Sequence, residues 1–311
     1  MNEKFSRTQF NQMETTEKQV LMERLAARYN MTFLSLHTFN RWGQSSTTGI
    51  FEKDGREYVF VPGDTVTLGW ERFAVGLDQD SREELDYLFQ EWEMEQDPEE
   101  MIRESMAPVR QAAIGPMLVG RELEELCWEP VTMDDPRLTA HPDWLKQFRE
   151  FAWSDLDSLT MHQSARIERT EKGFQICIYN RTDYDELLAG LEKQGLSLPT
   201  ADEWAYLCGG GCRTLFPWGD GMDYSMHLHW FEDMEEDEDR PYDMEEPNFF
   251  GLSIAYDPYM REVVKAEQFT TCGGDGGRSI CGGLGIFLGF LPCSPHCKPE
   301  VQEDKELNGD Y

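Results

Sequence analysis

Positive charge is the scarcest resource of this chain. Its 311 residues carry 28 lysines and arginines against 60 aspartates and glutamates, a net charge of −32. A nucleic-acid backbone is bound by clusters of Lys and Arg that displace counterions, so that partner class is excluded. The same deficit argues against anionic membrane surfaces. Such a surface repels copies of itself and stays in solution, and the partners that suit it are cations or a basic protein. Long apolar runs are also missing: none approaches the roughly 20 residues that cross a bilayer. The opening MNEKFSRTQFNQMETTEKQ has no apolar stretch of the secretory kind. These absences lead us to expect a cytoplasmic protein whose eight cysteines stay mostly reduced. Histidines number only six, and no GxSxG, P-loop or dinucleotide fingerprint occurs. Gly273-Gly274-Asp275-Gly276-Gly277 lacks the following helix and lysine of a phosphate cradle. No internal repeat is visible.

What is present suffices for a sizeable core: 40% of residues are hydrophobic, enough for one large domain or two modest ones. The spacing of Leu21, Leu25 and Tyr29 predicts a helix over 13–29, with Thr15 or Thr16 as its cap. Residues 47–69 read as β structure with a hairpin at Lys53-Asp54-Gly55-Arg56. Residues 80–106 are strongly acidic and helical, with Leu85, Leu88, Phe89 and Trp92 forming a core stripe. Strand character returns over 113–128 and 174–179, with helices predicted over 142–153 and 184–194. Residues 232–246 are an acidic low-complexity loop, which usually means a solvated segment.

One stretch is more ordered than the rest. Leu198–Asp220 reads LPTADEWAYLCGGGCRTLFPWGD. Thr200 can cap a helix, and Glu203 stands at the capping-box spacing. Glycines 209–211 end that helix without steric cost, and an aromatic turn follows. The pattern resembles the central signature of the formylglycine-generating enzyme (sulfatase-modifying factor) family. Glu246-Pro247-Asn248-Phe249-Phe250-Gly251-Leu252 is similar to that family's PNxFGL turn, and Val61-Pro62-Gly63 through Gly69 to its opening strand. The three lie in the family's order, over roughly Tyr58 to Cys297.

The resemblance implies a single α+β domain of C-type-lectin-like fold over 47–297, decorated by an N-terminal helical extension (1–46) and an acidic helical insertion (80–106). Residues 298–311 are a polar tail. It also implies metals. Family oxidases hold copper between two thiolates; the comparable segment here offers Cys281, with Cys272 nearby, as catalytic candidates, although the family's Cys-x4-Cys pair is absent. Soft thiolates suit Cu(I). Family calcium sites follow the PNxFGL turn, where Asp257 and Glu262 are the side chains that could ligate.

Independently of the resemblance, Cys293-x3-Cys297, with His296 between them, and Cys208-x3-Cys212 could supply four thiolates to zinc. Ordinary buried cysteines are the alternative. His227-Leu228-His229 could present two imidazoles beside the acidic loop. Two functional expectations follow. The first is a binding or accessory module for a protein or peptide, without the copper-oxidase site. The second is a copper-dependent oxidoreductase acting on a thiol or peptide cysteine.

Overall fold

The computed structural model describes residues 6–170, 173–229 and 241–307. In chain order the chain forms α1 (Arg7–Gln12), α2 (Thr15–Tyr29), β1 (Thr32–Arg41), β2 (Gln44–Lys53), β3 (Arg56–Val61) and β4 (Asp64–Leu68). Next come α3 (Gln79–Glu91), α4 (Pro98–Ser105), β5 (Arg110–Ile114), β6 (Met117–Gly120), β7 (Trp128–Val131), α5 (Pro136–Thr139) and α6 (Pro142–Phe151). Then follow β8 (Ser158–Met161), β9 (Ala165–Thr170), β10 (Gly173–Tyr179), α7 (Tyr184–Lys193) and α8 (Ala201–Gly209). The chain closes with β11 (Arg261–Val264), β12 (Thr270–Gly273), α9 (Arg278–Cys281), α10 (Gly285–Gly289), a 3₁₀ turn over Leu291–Cys293 and β13 (Glu300–Val301). The fold is α+β with antiparallel sheets. No described helix is long and apolar enough to cross a membrane.

The chain divides into two compact units, and the division differs from the domain reading made on sequence. One unit comprises 1–123 with 198–302; the other comprises 124–197 with 303–311. Residues 124–197 therefore do not belong to the compact body that carries the central motif. They build their own four-stranded sheet, β7-β10-β9-β8, over Leu138, Phe148, Phe151, Ala165, Ile167, Ile176 and Ile178. Residues 303–307 of the tail are ordered there: Tyr184 N–H donates to the Lys305 carbonyl at 2.9 Å, and Leu307 is buried. Residues 308–311 lie outside the described residues.

Residues 6–46 are integral to the first unit. β1 pairs with β2 in the sheet β1-β2-β3-β6, so a boundary at residue 46 falls inside a strand. Met22 of α2 packs so closely on Gly49 that a Cβ there would stand 2.6 Å from its side chain. The cap of α2 is Glu14, in a capping box with Glu17, rather than Thr15 or Thr16. The predicted hairpin forms with Asp54 and Gly55 both at positive φ, which is the conformation tight two-residue turns require.

The acidic segment 80–106 is two helices, α3 and α4, whose apolar stripe is core as expected. Leu85, Leu88, Phe89 and Ile102 belong to the same core as Trp204, Tyr206, Phe249 and Phe250. α3 is fastened at its N-terminus: Asp78 accepts from Ser81 N–H, and the Ser81 hydroxyl accepts from Met222 N–H at 2.8 Å. Asp220, which ends the aromatic turn, accepts from Leu215, Val75 and Gly76 N–H groups. One carboxylate thus ties the turn to the loop preceding α3.

Candidate functional site

The site is organised around α8. Its capping box forms as the sequence requires, with Thr200 Oγ1 accepting from Glu203 N–H and the Glu203 carboxylate from Thr200 N–H. Gly210 then adopts φ +60°, and a Cβ there would meet the Phe249 ring at 2.6 Å. Only glycine satisfies both demands. The helix presents Trp204 toward the sheet β11-β12-β13, where the indole N–H donates to Glu262 Oε2 at 2.6 Å. Glu262 Oε1 accepts from Ala255 N–H, also at 2.6 Å. Ala255 stands at φ +54°, a strained position for a residue with a Cβ, and this hydrogen bond holds it.

Each oxygen of Glu262 therefore accepts from one N–H donor. Asp257, the other expected calcium ligand, accepts from Tyr259 N–H at 2.8 Å in a local turn. Among the described residues, no three His, Cys, Asp or Glu side chains converge to hold a metal ion. The four thiolates expected from sequence for zinc are therefore not gathered into one site, and Asp257 and Glu262 are each engaged by backbone or indole N–H donors. Cys208 Sγ donates to the Cys293 carbonyl at 3.8 Å. Cys212 Sγ stands 3.8 Å from His296 Nε2, and that nitrogen lies 3.0 Å from the Thr214 carbonyl. His227 and His229 flank the Tyr242 ring at 4.6 and 4.5 Å, and His229 contacts Glu245 at 3.2 Å. Trp230 and the greater part of the acidic loop, 231–240, lie outside the described residues.

The eight cysteines are free thiols. Burial pushes the Cys272, Cys208 and Cys293 thiols far above the ordinary range, and Cys297 and Cys212 up to about 12. These thiols stay protonated at neutral pH, whereas the thiolate is the nucleophile and metal ligand. Cys281 stands apart: it is exposed on α9, its sulfur 3.3 Å from the Tyr259 hydroxyl. α9 itself is a single turn directly after the glycine run, where no helix was expected. A thiol reagent applied to the folded protein is expected to modify Cys281 first and to leave Cys208 and Cys293 untouched until denaturant is added. Mass spectrometry of the labelled peptides reads the order, and early labelling of Cys208 would contradict it.

Cys272 shares a cleft lining with Cys297, and Cys281 is not part of that lining. The cleft has a volume of about 660 Å³. The register places Thr271 opposite Glu300, which brings the β12 and β13 ends of the cleft together. Its lining includes Thr271, Cys272, Gly273 and Gly274 from the end of β12, Leu88, Phe89, Trp92, Met94 and Met101 from α3, α4 and the segment between them, and Leu284, Leu288, Leu291 and Pro292 from the α10 region. At the mouth, Arg278 is held by both oxygens of Glu300, at 2.9 and 3.0 Å, so the polar rim is largely self-neutralised. The sequence stripe Leu88, Phe89, Trp92 signalled a core. It did not signal that the stripe ends at a cleft, with Trp92 half exposed.

Two buried groups give the site a pH signature. Burial raises Glu262 from 4.5 to about 7, against the lowering effect of its Trp204 and Ala255 hydrogen bonds. The folded protein then binds a proton the unfolded chain has released, so this contribution to stability is complete below pH 4.5 and lost as pH rises through 7. Burial lowers His296 from 6.5 to about 4; its contribution is present above pH 6.5 and lost as pH falls through 4. Between 4.5 and 6.5 the two oppose each other. Wild-type unfolding free energy should stay nearly flat there and fall toward pH 7, while Glu262→Gln rises with pH by up to about 1.4 kcal/mol per unit. Parallel curves from urea titrations of the two proteins would contradict the assignment.

No family model matches the chain, and no match was found among curated proteins or among solved structures.

Proposed function

We propose that the chain is a divergent formylglycine-generating-enzyme-like binding module of C-type-lectin-like fold, whose ligand is an apolar segment of a protein or peptide partner seated in the 660 Å³ cleft. The scaffold reading is supported by how the three resembling segments meet. The Tyr206 hydroxyl donates to the Pro62 carbonyl at 2.9 Å, Asn248 Nδ2 donates to the Leu207 carbonyl at 2.8 Å, and the Tyr206 and Phe250 rings lie 5.2 Å apart. Segments far apart in sequence thus share one buried junction.

The binding reading rests on the cleft itself. Its size falls in the range of about 300–1,000 Å³ usual for ligand sites, and such sites are mostly apolar with few polar groups. Protonated thiols behave as small apolar groups, so Cys272 and Cys297 continue the walls. Methionines 94 and 101 supply adaptable surface. The net charge of −32 favours a partner that is basic around its apolar segment. The experiment is a calorimetric titration with a neutral, end-capped peptide carrying leucine and phenylalanine between serines. Saturable one-to-one binding supports the reading; the absence of binding at millimolar peptide overturns it.

One observation favours the copper-dependent oxidoreductase as a second reading: two thiols, Cys272 and Cys297, line one cleft. It requires both to give up protons that burial retains. Anaerobic Cu(I) titration separates the readings. One tight copper per chain, lost in Cys272→Ser, would favour the oxidoreductase.

A further inference from the structure

Among the acids of α3, Asp80, Glu83, Asp86 and Glu91 are exposed, whereas Glu84 is drawn partly below the surface. Its carboxylate reaches across to the glycine-rich segment. Glu84 Oε1 accepts from Ile286 N–H at 2.6 Å, and Oε2 accepts from Phe287 N–H at 3.2 Å. The Tyr224 hydroxyl also donates to Oε2. Gly285 stands at φ +72°, and a Cβ there would run into Glu84 Oε1. Amide groups in the first turn of a helix have no partner within it, and a negative charge is favoured at that end. Glu84 thus supplies the missing acceptors of α10.

The consequence lies in the cleft. α3 carries Leu88 and Phe89 of the lining; Leu284 and Leu288, also in the lining, flank and follow the Glu84 contact. Glu84 therefore ties together, by hydrogen bonds, two elements that both line the cleft. We infer that Glu84 is the positioning residue of the cleft, setting the gap into which an apolar ligand fits. The inference rests on the binding reading above. α3 has other fastenings, namely the Ser81–Met222 hydrogen bond and buried Leu85 and Leu88, and α10 keeps Phe287 and Leu288 in the core, so removing Glu84 loosens the first turn of α10 without unfolding either helix.

The test compares wild type, Glu84→Ala, Glu84→Gln, Glu84→Met and Trp92→Ala, with the neutral apolar fluorophore N-phenyl-1-naphthylamine as probe and amide hydrogen exchange as a second readout. Glu84→Ala is expected to weaken the probe at least tenfold and to speed exchange across 285–289. Glu84→Gln keeps an oxygen for Ile286 N–H and an amide group for the Tyr224 oxygen but sets that amide against Phe287 N–H, and is expected to recover only part of the affinity. Trp92→Ala weakens the probe without altering exchange at 285–289. If the probe binds, responds to Trp92→Ala and ignores Glu84→Ala, the positioning role is overturned and the cleft remains the binding site. Recovery of wild-type affinity in Glu84→Met, which restores the volume without an acceptor, would reduce Glu84 to a filler of space and also overturn it. If wild type binds no probe, the binding reading fails, and unchanged exchange in Glu84→Ala would then overturn the Glu84 contact as well.

Discussion

Trp204→Ala should lower the unfolding free energy by about 3–5 kcal/mol, the range for removing a large buried aromatic side chain. Trp204 is 2% exposed and lies in the main core. Its loss has a second consequence, because the indole N–H is one of two donors that hold the buried Glu262 carboxyl. A buried acceptor stripped of its donor costs a further ~1–3 kcal/mol. Domains are stable by about 5–15 kcal/mol, so the variant sits at the edge of folding. Trp204→Phe separates the two contributions: the ring is largely retained and the N–H is lost. Urea denaturation of both variants reads the difference. A Trp204→Phe protein as stable as wild type would mean that the Glu262 contact contributes nothing.

Trp92→Ala should have the opposite profile, a large effect on binding and a small one on stability. Trp92 caps α3 with half of its surface exposed and lines the cleft. Exposed positions of this kind usually change stability by no more than about 0.5 kcal/mol. Tryptophans that line a binding surface are the residues whose truncation most often costs 2 kcal/mol or more in affinity, about a thirtyfold loss. Calorimetry with the leucine- and phenylalanine-bearing peptide, paired with thermal denaturation, reads both quantities. Unchanged affinity would place the ligand elsewhere.

The elements legible in the sequence are those that local chemistry determines. The Thr200–Glu203 capping box spans three residues, and the Asp54-Gly55 turn two, so no distant contact is needed to specify them. The helical stripe of Leu85, Leu88 and Phe89 follows from periodicity alone. β1 was not legible, because its burial is irregular and its pairing with β2 includes a register shift between Phe33 and Ser35. The division into two units was not legible either: it depends on which residues contact across sequence, and the first unit is assembled from two separated stretches.

The same reason explains the site. Glu262 was visible as an acid after the PNxFGL-like turn, and sequence suggested a cation ligand. What decides its role is an indole 58 residues away in the chain. Cys272 and Cys297, 25 positions apart in the sequence, line one cleft, whereas Cys281, nearer to Cys272 in sequence, was left on the surface. Glu84 was one acid among many until the backbone of Ile286 and Phe287 was placed against it.

The central claim is that apolar ligands enter the cleft lined by α3 and the α10 region. Methyl-labelled methionines test it most directly. Met94 and Met101 line the cleft, while Met133 and Met161 belong to the second unit. Titration with the leucine- and phenylalanine-bearing peptide should shift the Met94 and Met101 methyl resonances saturably and in step, and leave Met133 and Met161 unmoved. Saturable shifts at Met133 or Met161, with Met94 and Met101 silent, would contradict the account.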